Sequence, residues 1–371
     1  MKKIGTITFH ASYNHGSCLQ AYALQKYIQN IASEDISYEI INLRTPIQKE
    51  MYMTPFKKKG LKNLLKSVIY FQEKKNLKSR EEKYENFIKN KLLISKEFSS
   101  LDELQKQQFN YDYFISGSDQ LWNLRARDFD WSNFLEFTDS TNKISYAASF
   151  GPKNLNLSID EKHRIINDLN KYKYISVRDE ASLKLINDFC EAKKNPIINV
   201  DPTLLLSKEE WLELVNENYY TNEKYILLYD LKCNKDILDT AKKISKVLKM
   251  PILIVKENIK THIKYNFKHE YSAGPQEFLS LIKNAELVLS SSFHGTIFSI
   301  IMETPFYSIN GSTDNRINTL LKRMNLLDRS ISLMDFKKCK WYKNIDFKES
   351  KKIIEEEKNK SKEFLKKSLN L

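Results

Sequence analysis

Residues 287–301 read LVLSSSFHGTIFSII, a buried strand running straight into a helix. Leu287–Ser290 is a short apolar run of the kind buried on both faces of a parallel sheet. Ser291, Ser292, Phe293, His294 and Gly295 follow, and a helix runs on through Ile301. A helix beginning directly after a buried strand presents backbone N–H groups and a positive dipole end, which together favour phosphate or carboxylate. Ser291, Ser292 and Thr296 can cap such a helix and also donate to an anion. Gly295 lets the backbone approach a ligand closely. An isolated histidine is more often a packing or surface residue. At a strand–helix switch of an open α/β sheet, however, His294 falls where ligands bind.

The same alternation extends outward on both sides. In the second half, strands are predicted at Tyr225–Tyr229, Ile252–Val255 and Phe306–Ile309. Helices are predicted at Lys235–Leu248, Gln276–Lys283 and Asn315–Met324. In the first half, a strand at Ile4–Phe9 is followed by the polar loop His10–Ser17. Leu19, Tyr22, Ala23, Tyr27 and Ile28 then recur at helical spacing. Further strands are predicted at Tyr38–Asn42, Tyr111–Ser116, Ile144–Phe150, Tyr174–Arg178 and Ile197–Val200, with helices at Asp160–Leu169 and Asp179–Phe189. Strands alternating with helices give an α/β fold of two Rossmann-like domains. The first is expected over 1–207, with a basic helical insertion at 57–91. The second is expected over 208–371, ending in a Lys/Glu-rich helix with Ile353, Ile354, Phe364 and Leu365 on its buried side. The site is expected between the two domains.

Composition narrows the function classes. A chain of 371 residues exceeds what one hydrophobic core usually serves, and 41% hydrophobic residues exclude a mainly disordered chain. The net charge of +13 suits nucleic acid, an anionic lipid surface or phosphorylated small molecules. Residues 57–91 hold twelve Lys/Arg against four Glu, a net of +8, so the rest is only mildly basic and nucleic acid is not the expected partner. Within the insertion, Leu61, Leu64, Leu65, Val68 and Ile69 form one apolar stripe. It reads either as a helix packed on its own domain with a solvated basic face, or as a helix docking on a membrane surface. Cys18, Cys190, Cys233 and Cys339 are scattered, without CxxC or Cys/His clusters, which suits reduced thiols. The N-terminus has no signal-peptide pattern, and no run of about 18 apolar residues occurs. A cytoplasmic protein is expected, with peripheral contact to the inner face of the membrane as the sharper alternative.

Four further segments carry candidate residues. Arg178 follows a strand's last apolar residue, where a guanidinium can hold a carboxylate or phosphate bidentately or simply pair with Asp179 or Glu180. The opening loop has neither GxGxxG nor GxxxxGK[ST], so NAD and P-loop nucleotides lack support. Asn14, His15 and Gly16 are candidates to line a crevice there, and Cys18 reads as a buried helix residue. In FISGSDQLWN (114–123), Gly117 permits a tight turn, and Ser118, Asp119 and Gln120 suit sugar hydroxyls. Asp119 is a candidate general base, and Trp122 either stacks on a sugar or covers the core. Asp314 reads as a helix N-cap, with Arg316 reaching a phosphate. No HExxH or paired glycosidase carboxylates occur, Asp201-Pro202-Thr203 reads as a turn, and no metal or other cofactor is expected.

Together these segments resemble the polysaccharide pyruvyl transferase family. The matching stretches are TFHASYNHGSCLQAYALQKYI, YDYFISGSDQLWN, KISYAASFG, SVRDEASLKLI, VDPTLLL with Trp211 behind it, FLSLIKNAELVLSSSFHGTIFSIIMETPFYSI and NRINTLL, spread over roughly residues 1–330. The resemblance implies a GT-B-like pair of Rossmann-type domains, phosphoenolpyruvate as donor and a saccharide acceptor, nucleotide- or lipid-linked, in surface-polysaccharide assembly. It also implies that Arg178 and His294 bind the donor, His294 doubling as an acid/base candidate. Where some relatives carry a basic residue before the histidine, this chain has Ser292 and Phe293. That donor contact is therefore missing or supplied by Arg316. A GT-B-like glycosyltransferase using a sugar nucleotide is the alternative, and a non-catalytic basic membrane- or nucleic-acid-binding protein ranks last.

Overall fold

Two parallel sheets organise the chain, in a computed structural model that describes residues 1–32, 36–57, 60–151, 155–189, 195–220, 223–230, 234–255, 265–309, 313–332 and 345–371. The first sheet contains β1 (Lys2–Ile7), β2 (Ile36–Leu43), β3 (Ile94–Phe98), β4 (Tyr113–Asp119), β5 (Lys143–Ala148), β6 (Tyr172–Val177) and β7 (Ile197–Ile198). Its strand order is β3-β2-β1-β4-β5-β6-β7. The second contains β8 (Ile226–Tyr229), β9 (Ile252–Ile254), β10 (Lys268–His269), β11 (Leu287–Ser290), β12 (Phe306–Ile309) and β13 (Ser330–Ile331), ordered β10-β9-β8-β11-β12-β13. Ile4 is in register with Tyr38 and Tyr113, and Leu289 with Leu228 and Tyr307. Central strands such as β4, β5, β8 and β11 are buried along their whole length, as a sheet covered on both faces requires.

The expected strands are present with shifted ends. β4 runs three residues further than Ser116, to Asp119, which stays in register with Ala148. Gly117 makes this extension possible. Its φ is +143°, and a Cβ there would lie 2.1 Å from the Tyr146 carbonyl oxygen. Sequence periodicity did not indicate β3, β10 or β13. β3 is mostly polar, and the other two span only two residues each.

The chain divides into two compact units that are not contiguous in sequence. The first comprises residues 1–52, 88–206 and 354–371, and the second 53–87 and 207–353. The basic insertion therefore belongs largely with the second unit, contrary to the expectation that placed it in the first. The side chains that anchor it are Tyr70 and Leu77, buried against Tyr271, and Lys83, whose ammonium lies 3.3 Å from Glu277. The apolar stripe of the helix Leu61–Ile69 is not the buried side: Leu64, Leu65 and Val68 are 62%, 60% and 67% exposed. The terminal helix Lys348–Leu369 passes from the second unit to the first. Leu365 and Leu369 are fully buried, whereas Ile353, Ile354 and Phe364 are half-buried. Ser361 Oγ accepts from the Val200 amide at 3.2 Å, and Phe364 lies 6.4 Å from Tyr146.

One acidic pair couples the first unit's stability to pH. Arg164 Nε donates to Glu136 at 2.6 Å, and Asp168 is buried beside that carboxylate. Burial, together with the hydrogen bond and charge of Glu136, pushes Asp168 up to about 7. A carboxyl raised in the folded state favours folding most below its ordinary 3.8, and that contribution is lost as pH rises through about 7. Asp168→Asn is expected to raise stability at about pH 8 by on the order of 1–2 kcal/mol, and by little at about pH 4. Urea unfolding at both pH values checks this.

Candidate functional site

In an open parallel sheet, ligands bind beyond the carboxyl ends of strands where the strand order reverses. In the first unit that point lies between β1 and β4. The helix His15–Ile31 starts there, with Asn14 as N-cap accepting from the Gly16 and Ser17 amides. Ser17 Oγ donates to Asp119 Oδ2 at 2.8 Å, which bridges the two sides of the reversal. Asp119 sits at the end of β4 with φ of +82°, a strained conformation for a non-glycine residue. Its Oδ1 also accepts from the Gln120 amide at 2.8 Å and from Arg178 at 3.2 Å.

Arg178 is the centre of this edge. Its side chain is 2% exposed, with one terminal nitrogen on Asp119 and the other on Asp201 at 2.6 Å. Asp201 in turn accepts from the amide and hydroxyl of Thr203. Burial opposes the guanidinium's charge, but Asp201 and Asp119 hold its pKa above the ordinary value. Arg178 thus reaches Asp119 and Asp201, beyond the neighbours Asp179 and Glu180 considered from sequence. Asp179 instead accepts from Ser149 Oγ at 2.7 Å and caps Ser182. Asp201 heads a turn, as expected from sequence, and in addition pairs with Arg178.

Of the acceptor candidates, few face outward. Ser118 is buried and donates to the Ala147 carbonyl, His15 is 7% exposed, and Gly16 is buried in the helix. Trp122 is wholly buried, stacks on Phe134 at 5.2 Å and donates to the Asn133 carbonyl, so it covers the core and cannot meet a sugar. Cys18 is likewise buried, its thiol donating to the Ser12 carbonyl at 3.2 Å. Cys190, Cys233 and Cys339 lie outside the described residues. Asn14 and Gln120 remain half-buried. Two residues absent from the sequence expectations join them. Tyr52 donates to Asp128 at 3.1 Å, and its ring lies 6.1 Å from that of Tyr13. Burial raises the pKa of Asp128, and the charge of Asp119 raises it further. No motif or periodicity marks either residue.

In the second unit the order reverses between β8 and β11. Ser291 Oγ, following β11, donates at 2.5 Å to Asp230, which follows β8. The helix Phe293–Met302 starts with Ser292 in the N-cap position, and the Ser292 side chain makes no capping hydrogen bond. Capping by the serines and Thr296, expected from sequence, is therefore not found: Ser291 is on Asp230, and Thr296 Oγ1 donates back to the Ser292 carbonyl. His294 lies in that first turn and is 6% exposed. Arg316 is held bidentately by Asp314 and lies 5.8 Å from the Phe293 ring, beside the helix start. Asp314 is the N-cap of the helix Asn315–Arg323, as expected. Gly295 has a packing reason. A Cβ there would lie 2.3 Å from Ser290 Oγ and 2.7 Å from the Tyr229 ring, so the helix can approach the strand ends only without a side chain.

A surface cavity of about 810 Å³ opens elsewhere, lined by Lys3, Ser37, Glu39, Lys96 and Tyr111. These residues lie at or near the amino ends of the first sheet's strands, the end opposite to the one where such sheets bind ligands. Among the described residues, no group of three or more His, Cys, Asp or Glu could hold a metal ion. No helix among them is long and apolar enough to cross a membrane.

Two substitutions test this geometry. Arg178→Ala strands two buried carboxylates and is expected to cost about 3–5 kcal/mol, seen as a lowered denaturant midpoint. Gly295→Ala forces the helix off the strand ends and is expected to cost about 1–3 kcal/mol by the same measurement.

Residues 14–313 match the family described as "Polysaccharide pyruvyl transferase". None of the curated proteins compared matches the chain. Among solved structures, the UDP-GlcNAc 2-epimerase from Methanocaldococcus jannaschii aligns at 14% identity and a TM-score of 0.54, covering 96% of this chain and 99% of that one. The UDP-N-acetylglucosamine 2-epimerase from Rickettsia bellii aligns at 9% identity and 0.57, covering 100% and 97%. The S. aureus MnaA–UDP structure aligns at 10% identity and 0.57, covering 91% and 87%. These likenesses show the fold: α/β, two Rossmann-like units, of the GT-B-like class.

Proposed function

Because the chain belongs to the polysaccharide pyruvyl transferase family, we propose that it transfers the enolpyruvyl unit of phosphoenolpyruvate to a saccharide, forming a pyruvate ketal. The family match over residues 14–313 carries this proposal, and the uncapped helix start at Ser292 supports it. The first-turn amides, with Ser292, Gly295 and Thr296 around them, offer a dianionic phosphate a positive dipole end. His294 stands in that turn, and Arg316 beside it supplies the cation that the sequence lacks just before the histidine.

The reaction balances as follows. Protonation of the donor's methylene carbon makes it a methyl group and leaves positive charge on the neighbouring carbon. A sugar hydroxyl adds there and loses its proton to a base. The carbon–oxygen bond to phosphate then breaks, releasing inorganic phosphate, and a second hydroxyl closes the ketal. His294 is the acid candidate.

Two roles differ from those expected from the sequence. Arg178 is 2% exposed and paired with two carboxylates, so a positioning role, holding Asp119 in place, fits better. Asp119 already accepts from Ser17, Gln120 and Arg178, which leaves it a poor base. Half-buried Asp128, raised by burial, is the better one, with Asn14, Gln120 and Tyr52 nearest in kind to sugar-binding groups. A cytoplasmic location, and a lipid-linked acceptor at the membrane surface, belong to the same proposal. The solved structures above include a UDP complex, which favours a sugar nucleotide as the second reading.

Calorimetric titration with phosphoenolpyruvate, with UDP and GDP in parallel, separates the two. His294→Gln is expected to weaken phosphoenolpyruvate binding roughly 10- to 100-fold with unchanged melting. Binding of UDP alone would move the protein to the sugar-nucleotide reading. Asp128→Asn is expected to lower kcat by about 10²–10⁴ and to remove the acidic limb of the pH–rate profile. A profile of unchanged shape would rule Asp128 out as the base.

A further inference from the structure

We propose that the helix Leu61–Ile69 and the turn after it dock the protein on an anionic lipid surface. Leu64, Leu65 and Val68 are 62%, 60% and 67% exposed, and Phe71, in the turn Phe71–Glu73, is 69% exposed. Large apolar side chains exposed singly are ordinary on a protein surface, but four within eight residues of one segment are not. On the helix, Leu64, Leu65 and Val68 share one face, because residues three and four apart stack along it. The exposure is not that of a detached segment. Tyr70, the next residue after the helix, is buried, packs edge-on to Tyr271 at 5.9 Å and shares a small core with Leu77. The helix is thus fixed to its unit while its apolar row faces outward.

The charge around the row selects the occupant. Residues 57–75 hold seven lysines against one acidic residue, Glu73. Lys74 and Lys75 are exposed directly after the turn, and Lys66 lies within the helix. Apolar side chains flanked by lysines match the boundary of a bilayer carrying acidic headgroups, where the apolar groups enter the acyl region and the ammonium groups stay among the phosphates. A second copy of this chain fits poorly, since a symmetric contact would bring two such lysine-rich segments together. The docking does not depend on the reaction proposed above and is tested without turnover.

The full chain is sedimented with vesicles of phosphatidylcholine alone and of phosphatidylcholine mixed with phosphatidylglycerol. Binding is expected to the mixed vesicles only, and to fall steeply as salt is raised. Leu65→Ser/Val68→Ser, both at exposed positions, is expected to weaken that binding at least about tenfold while leaving the melting temperature and phosphoenolpyruvate titration unchanged. Equal binding to both vesicle types, no binding to either, or unaltered binding by the double variant would overturn the proposal. So would a dimer in light scattering that the double variant dissociates, since the row would then be covered by a second copy.

Discussion

A guanidinium buried between two carboxylates governs the first unit's ligand edge. Burying charge is costly unless the geometry satisfies it, and here Arg178 is matched by Asp119 and Asp201. The three residues tie the end of β4, the end of β6 and the turn after β7 into one electrostatic frame. That frame also holds Asp119 in its strained backbone conformation, which would otherwise relax. Ser17 extends it to the first turn of the opening helix. What remains accessible for chemistry sits at its margin: Gln120, Tyr52 and Asp128.

The second unit meets the same topological demand with neutral groups. Ser290 Oγ donates to the Tyr229 carbonyl and accepts from the Ser292 amide, and Gly295 lets the helix settle onto this serine. The one charge in the bridge, Asp230, is taken up by Ser291. The result is a helix start without a side-chain cap, which leaves anion affinity to backbone dipoles. The first edge carries its charges in pairs, whereas the second has a helix start whose N-cap side chain makes no capping bond.

Much of this was legible in the sequence, for identifiable reasons. Leu287–Ser290 and Ile226–Tyr229 are fully buried strands adjoining tight loops, so hydrophobicity and turn chemistry agree. Arg178, Asp119 and His294 stand at or just beyond strand ends, where the rule for parallel sheets places ligand groups. The same rule says nothing about which way a side chain turns, so Trp122 and Ser118 looked available although both are buried. Asp201 was missed because an Asp-Pro pair reads as a turn, and Asp128 and Tyr52 because their pairing spans 76 positions. The amphipathic stripe at 61–69 was visible. A stripe gives the pattern of burial but not what buries it, and here Leu64, Leu65 and Val68 are mostly exposed.

The interleaving of the two units has a consequence for biosynthesis. Residues 354–371 complete the first unit, and Leu365 and Leu369 are wholly buried in it. As the chain leaves the ribosome, most of that unit appears early, yet its last helix emerges after the whole second unit has been made. Throughout that interval the surface awaiting Leu365 and Leu369 stays uncovered, with the attendant exposure to aggregation or chaperone capture. Loss of residues 354–371 would take away few side chains, but it would leave the earliest-made unit unfinished.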